Sequence, residues 1–283
     1  MLSYRHSFHA GNFADVLKHY VLVEILEALA KKDKPFEYID THAGAGLHYL
    51  HSEQAQKLAE FTNGIGRLTP KDWPELDSYF TAINACNPTN QLTHYPGSPL
   101  IANHFLRRQD RGWLYELHPS DAKLLQKTLQ KKHKMRVMQS DGFTGLLSLL
   151  PPTSRRGMVL IDPSYEIKSD YEKVFSVVNQ AYKKFANGIY AIWYPVVDRE
   201  LILRLEKKFI NSGIKDIQRF ELGIQEDTTE HGMTSSGMLI IIPPWGLHEK
   251  MAKLLPKLAK YLGSDENGEN SQGVFKCDVL VKE

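Results

Sequence analysis

Asp162, Pro163, Ser164 and Tyr165 follow an unbroken apolar run at 158–161. A buried strand that stops at a carboxylate, a proline and an aromatic ring could do a specific piece of chemistry. Asp162 offers a carboxylate oxygen and Pro163 a backbone carbonyl, two acceptors for the two N–H groups of an exocyclic amine on a base. Tyr165 offers a flat face for stacking that base, a contact typically worth about 1–3 kcal/mol. The lone pair of such an amine is delocalised into the ring. Accepting both N–H bonds favours the geometry in which it points at an electrophilic methyl group. Alignment and electrostatics then carry most of an in-line displacement. The plain alternative is a turn after a strand.

A second constellation lies upstream. FEYIDTHAGAG (36–46) supplies a strand, an acid at its end and a turn containing Gly44 and Gly46. Small residues let backbone N–H groups approach a ligand closely. The third glycine of a dinucleotide turn is absent, so the turn suits the methionyl end of S-adenosylmethionine better than a pyrophosphate. Glu116 ends the run GWLYE, where an acid can bond ribose hydroxyls. Asp141 follows MRVMQ and can accept from an adenine amino group. Each of these features alone also reads as a cap or a turn former. Asp40, Glu116, Asp141 and Asp162, closing four successive strands, are harder to dismiss, because strand C-termini form the ligand edge of an open α/β sheet.

The elements that must position these residues follow from periodicity. Asn12 caps a helix running to about Ala30, with apolar positions in three- and four-residue steps. Strands are expected at 36–40, 112–116, 135–139, 157–162, 189–195, 217–222 and 237–243, with helical patterns between several of them. That alternation argues for an α/β fold with a mainly parallel, doubly wound sheet, and the late strands permit an antiparallel edge. Residues 47–94 interrupt the rhythm and read as a small helical insertion within a single domain spanning 1–283. It would also explain why Glu116 lies much further from Asp40 than the roughly 20 residues of an uninterrupted dinucleotide unit. GSDENGENSQG (263–273) reads as a surface loop, and IIPPWG (241–246), with Ile242 in the acceptor position, as a strand-end turn.

Composition is that of a folded domain: 283 residues, 42% apolar and 24% charged, with a formal net charge of +2. Near-neutrality does not by itself announce a nucleic-acid binder. Cations concentrate, however, in 107–111, 127–136 and 154–156, which are expected to grip phosphates near the target, with binding that falls steeply as salt rises. Two cysteines far apart, no apolar signal core and no apolar run long enough to span a bilayer imply a soluble protein of the reducing cytoplasm. The histidines His6, His9 and His19 lack metal-ligand spacing, so no metal is expected. Tyr4, His6 and Lys18 could instead close over substrate or cofactor, and no association helix argues against a monomer.

YRHSFHAGN, ADVLKH, DTHAGAG, YPGSPLIA, ELHPSD, SDGF, SRRG, LIDP and YAIWYPV occur in this order over nearly the whole chain. In this it resembles the RlmJ family of 23S ribosomal RNA adenine-N6 methyltransferases. The resemblance implies a Rossmann-like class I methyltransferase fold with a helical insertion, S-adenosylmethionine as cofactor and 23S rRNA as partner. It places cofactor contacts on Lys18, His19, His42, Ser98, Glu116, Asp141 and Gly142, and the catalytic acceptor on Asp162. Tyr4, His6 and Lys18 match an N-terminal motif needed for activity. The departure is Ser164, where such loops carry a second proline. That proline supplies stiffness and no atom that must touch the amine, so DPSY reads as a working variant. A nicotinamide dehydrogenase, a DNA adenine methyltransferase and a non-catalytic RNA-binding protein are the competing readings.

Overall fold

The computed structural model describes residues 6–89, 91–130, 132–228, 232–264 and 272–283. Helix α1 (Phe13–Ala30) opens at Asn12, whose side chain accepts from the Asp15 N–H. It leads into β1 (Glu37–Asp40), then β2 (Leu47–Tyr49), α2 (Glu53–Leu58), α3 (Asp77–Asn84), β3 (His94–Pro96) and α4 (Ser98–Phe105). Strand and helix then alternate through β4 (Arg111–Tyr115), α5 (Pro119–Leu129), β5 (Met135–Met138), α6 (Gly142–Leu149), β6 (Gly157–Ile161), α7 (Ser169–Lys184), β7 (Ile189–Val196) and α8 (Arg199–Ile210). The chain closes with β8 (Ile217–Gly223), β9 (Ser235–Ile241), α9 (Leu247–Leu262) and β10 (Val274–Val281).

Eight strands form one sheet in the order β10-β8-β9-β7-β6-β1-β4-β5. The pairs among β7, β6, β1, β4 and β5 are parallel, and those joining β9 to β7, β8 to β9 and β10 to β8 are antiparallel. The parallel strands β1, β6 and β7 are buried along their whole length, as a sheet covered on both faces requires. Chain order turns around at β1, so the ligand crevice of a doubly wound sheet belongs above the C-terminal ends of β1, β4 and β6. The insertion of β9 between β7 and β8 departs from the strand order of the dinucleotide-binding fold.

Helix α1 differs from its sequence pattern. An apolar stripe at helical spacing predicts one buried face, yet the helix is buried on nearly all sides, packed against β7, β8 and β9 and against α3, α4 and α9. Four polar residues, Asp15, Lys18, His19 and Glu24, are buried with it at 1%, 4%, 1% and 9% exposure. Acids and lysines are rarely buried this fully unless paired, so this helix signals a site.

The structure also holds elements that the pattern did not reveal. β2 and β3 pair as a two-stranded antiparallel ribbon at the two ends of the 47–94 segment. Three-residue strands are too short to show alternation. β10 adds an antiparallel edge, and residues 265–271 of the polar stretch before it lie outside the described residues. The basic runs are placed against expectation: they precede β4, β5 and β6 at the N-terminal edge of the sheet, opposite the crevice. Arg107 and Arg156 are held there because their guanidinium groups donate to carbonyls at and after the C-terminus of α1, including Ala30, Leu29 and Lys34. Helix C-terminal carbonyls lack partners of their own, which favours such cations.

The start of α6 is fixed by close approach. A Cβ on Gly142 would lie 1.9 Å from the Thr41 carbonyl oxygen. Gly142→Ala is expected to destabilise the protein by about 1–3 kcal/mol through overpacking, measured as a lower midpoint in urea at unchanged slope.

Candidate active site

The crevice is built from strand ends. Asp40 closes β1 with no exposure at all. Its oxygens accept from the Tyr38 hydroxyl at 2.6 Å, the Ser98 hydroxyl at 2.7 Å and the His42 N–H at 3.2 Å. Burial pushes its carboxyl up to about 6 against these bonds. Asp40 is therefore a buried anchor for the turn and for the start of α4, and Ser98 is the residue it presents to the crevice. After it, Gly44 adopts φ +62°, with open space where a Cβ would stand. The Gly44 N–H donates to Glu116 at 2.8 Å and the His118 N–H donates to the same carboxylate at 2.6 Å. Glu116 thus clamps the β1 turn to the end of β4, and burial raises its pKa. Asp141 caps α6 by accepting from the Thr144 N–H at 2.8 Å, and its other oxygen lies 3.2 Å from Lys173 Nζ.

The opposite wall is α1. Asp15 accepts from the Gly11 N–H at 2.8 Å and lies 2.9 Å from His6 Nε2. Its other oxygen lies 3.0 Å from Lys18 Nζ. Lys18 then reaches Asp162 Oδ2 at 2.6 Å and sits over the Trp193 ring at 5.5 Å. Burial alone would raise the Asp15 pKa, but the charges of His6 and Lys18 hold it well below the usual carboxylate range. Burial raises the Asp162 carboxyl, with Lys18 opposing. Asp162 Oδ1 takes no hydrogen bond among the described residues, so one oxygen is fixed and one is available. Burial drives His19 well below its ordinary value, and its Nδ1 lies 2.7 Å from the Tyr95 hydroxyl. His9 pairs instead with Glu60 at 2.9 Å, tying the N-terminal turn to the 47–94 segment.

Two cavities meet at this wall. One, of about 350 Å³, is lined by Lys18, His19, His42, Gly44, Ser98, Glu116, Asp141, Gly142 and Asp162, so all nine residues expected around a cofactor face one space. The second, of about 360 Å³, is lined by Asp15, Tyr165, Tyr171, Pro195, Leu201 and Met233 among others. His6, Lys18, Asp162, Ser164, Glu166 and Trp193 border both. Pro163 faces the first cavity, and Tyr165 the second. Tyr165 adopts φ +53°, a region that non-glycine residues seldom occupy and that clusters at functional sites. Its hydroxyl donates to the Trp193 carbonyl at 2.7 Å and its ring centroid is 4.5 Å from that of Tyr171. Ser164 borders both cavities, which places the missing proline at their junction. Tyr4 lies outside the described residues. Among those described, no group of three or more His, Cys, Asp or Glu side chains could hold a metal, and no helix is long and apolar enough to cross a membrane.

Sequence reasoning missed Asp15, His48 and Trp193. Asp15 was within reach: Asp15, Lys18 and His19 share one helix face at three- and four-residue spacing. His48 and Trp193 come from a short strand and a wholly buried one, and only the tertiary structure brings them here.

His48 is 6% exposed, and burial, then His6, pushes its pKa down to about 3. The unfolded imidazole takes a proton as pH falls through its ordinary 6.5, while the folded one refuses it until about 3. The unfolded state then binds more protons, so stability falls with pH across that window. His48→Gln is expected to flatten the stability–pH slope there by up to one proton, read from urea unfolding at a series of pH values. Asp15→Ala takes from the buried Lys18 one of its two carboxylate partners, and about 3–5 kcal/mol of stability should be lost, read as a lower thermal midpoint.

The family profile described as "Ribosomal RNA large subunit methyltransferase D, RlmJ" matches residues 33–274. The chain is 52% identical over 260 residues to ribosomal RNA large subunit methyltransferase J of Escherichia coli (strain K12), covering 91% of this chain and 93% of that protein. To the protein of the same name from Haemophilus influenzae it is 47% identical over 271 residues, covering 95% and 96%. A crystal structure of a Legionella pneumophila protein superposes with a TM-score of 0.85 at 35% identity, covering 96% of this chain and 98% of that one. With a Rossmann-like methyltransferase sheet and a crevice at its C-terminal edge, the chain belongs to the RlmJ family of large-subunit ribosomal RNA methyltransferases.

Proposed function

We propose that this protein transfers a methyl group from S-adenosylmethionine to the N6 amino group of an adenine in 23S rRNA, acting as a monomer in the cytoplasm. The observation that carries this reading is the pair of cavities sharing a wall at Asp162, Ser164, Lys18 and Trp193. Methyl transfer needs two ligands, each in its own site, meeting at one point.

The first cavity fits the cofactor. Glu116 lines it with a half-buried carboxylate suited to ribose hydroxyls, and the Gly44 turn leaves room for close approach. His42 is pushed down to about 4 by burial, so at neutral pH it adds no cation there. Lys18, His19, Ser98, Asp141 and Gly142 complete that wall. When bound, the sulfonium supplies an electrophilic methyl group.

The chain's own residues prepare the amine. Asp162 Oδ1 accepts one N6–H and the Pro163 carbonyl the other, while the second cavity holds the base against Tyr165. Lys18 opposes the burial that raises the Asp162 carboxyl, and Asp15 keeps Lys18 in place. His6 lines the junction, and Tyr4 is assigned to the same closure by its motif alone. With S-adenosylmethionine bound, the methyl carbon would pass from sulfur to N6, leaving S-adenosylhomocysteine, and the amine would give up its proton to water. The target adenine must leave its stack to present N6, because a paired amine cannot meet an in-line donor. A DNA adenine methyltransferase would use the same two sites; membership in a ribosomal RNA family favours RNA.

Tritiated S-adenosylmethionine incubated with unmodified 23S rRNA, followed by nucleoside mass spectrometry, tests the reading. N6-methyladenosine from the wild type, and a fall in rate of about 100-fold or more for Asp162→Ala, are the expected results. Labelling of duplex DNA in place of rRNA would reassign the substrate. Lys18→Met is expected to move the acid limb of the pH–rate profile to higher pH. Without the cation, burial raises the Asp162 pKa further, so the carboxylate is lost earlier on acidification. An unmoved limb would show that Lys18 acts otherwise.

A further inference from the structure

The basic runs have no part in the crevice, yet the fold gathers them. Segments 31–34, 107–111, 132–134 and 154–156 hold ten lysines and arginines against two aspartates, in a chain whose net charge is only +2. All four precede parallel strands, and they are bonded to one another. Arg107 donates to Lys32 and Lys34, Arg156 donates to Lys34, and Lys134 donates to the Leu106 carbonyl beside Arg107. The guanidinium carbons of Arg107 and Arg156 lie 5.6 and 5.8 Å from the Phe36 ring centroid, so two like charges are fixed over one side chain. Of the two acids, Asp110 is wholly buried and occupied by Arg107. Lys32, Arg108, Lys132 and Arg155 are exposed, and none makes a side-chain hydrogen bond or ion pair among the described residues.

We propose that this N-terminal edge of the sheet is a second RNA contact surface, which binds phosphates of a part of the folded RNA remote from the target adenine. The inference rests on the reading of rRNA as substrate. Like charges held this close repel one another, and a polyanion relieves that repulsion while releasing its counterions. Strands of four or five residues, at about 3.3 Å per residue, set this edge roughly 13–17 Å from the crevice. The nucleotides that enter the crevice are therefore not the ones that lie here. The turn after β9 ends on the same edge and carries Trp245, which is fully exposed and offers a face to an unpaired base.

The quadruple variant Lys32→Gln, Arg108→Gln, Lys132→Gln, Arg155→Gln separates this surface from the crevice. Its four positions are exposed, so unfolding and cofactor binding should match the wild type. Methylation is measured on full-length 23S rRNA and on nested fragments down to the shortest one the wild type still modifies. On the long RNA we expect KM to rise about tenfold or more, and the slope of log affinity against log salt to shrink by about 0.7–0.9 for each phosphate no longer neutralised. On the shortest fragment kcat and KM should be unchanged. An unchanged KM on long RNA, an equal fall in activity on both substrates, or a wild-type KM indifferent to RNA length would each overturn the proposal. A wild type that modifies no RNA would instead overturn the proposed function, and this surface with it.

Discussion

The buried ion chain Asp15–Lys18–Asp162 is the constraint around which the crevice is organised. A lysine 4% exposed between two carboxylates is tolerable only because both acids are within hydrogen-bond distance. The chain links α1, which is buried on nearly all sides, to the end of β6 across the middle of the molecule. It fixes one oxygen of Asp162 and leaves the other for a ligand. It also sets a cation against the burial that raises the Asp162 carboxyl. The helix can carry this polar cargo because its remaining surface is apolar and packs against both the antiparallel strands and the other helices. The same buried environment keeps His19 neutral, held by Tyr95, so the chain of charges stops at Lys18.

Strain and rigidity are distributed around that chain. Tyr165 is held in a left-handed conformation by its hydroxyl bond to Trp193 and by its packing against Tyr171. These restraints lie downstream of Ser164, so the loop has a source of stiffness other than a second proline. Trp193 is fixed in turn by its indole N–H, which donates to Ser236 at 2.7 Å. The wall between the two cavities is therefore tied to β7 and β9, which makes the antiparallel edge part of the site's support. On the other side, Asp40 and Glu116 hold the glycine turn from beneath and from beside it, so the surface toward the first cavity is formed largely by groups already positioned.

Charge is arranged at both ends of the sheet. The C-terminal edge concentrates acids and buried histidines suited to small ligands and a single base, while the N-terminal edge concentrates cations. Some of those cations serve the fold by satisfying carbonyls after α1, and others are left to solvent. A nearly neutral total conceals this separation, which is why composition alone gave no sign of a polyanion partner.

Much of the site was legible in the chain because it rests on short-range grammar. An apolar run ending in Asp162-Pro163, a glycine turn after Asp40 and acids after successive strands are local signals. Strand–helix alternation was enough to determine a parallel sheet whose C-terminal ends face a ligand. Periodicity also located α1 and its cap at Asn12. What only the tertiary structure decided was which groups meet. Asp15 and Asp162 are far apart in sequence, and a helical stripe says nothing about a second buried face. Strand-end acids look alike in sequence, yet Asp40 became a buried anchor, Glu116 a clamp and Asp141 a helix cap. The basic runs read as one binding signal, but strand direction sent them to the edge away from the crevice. Hydrogen-bonding geometry and burial depend on neighbours in space, and only the folded chain supplies those.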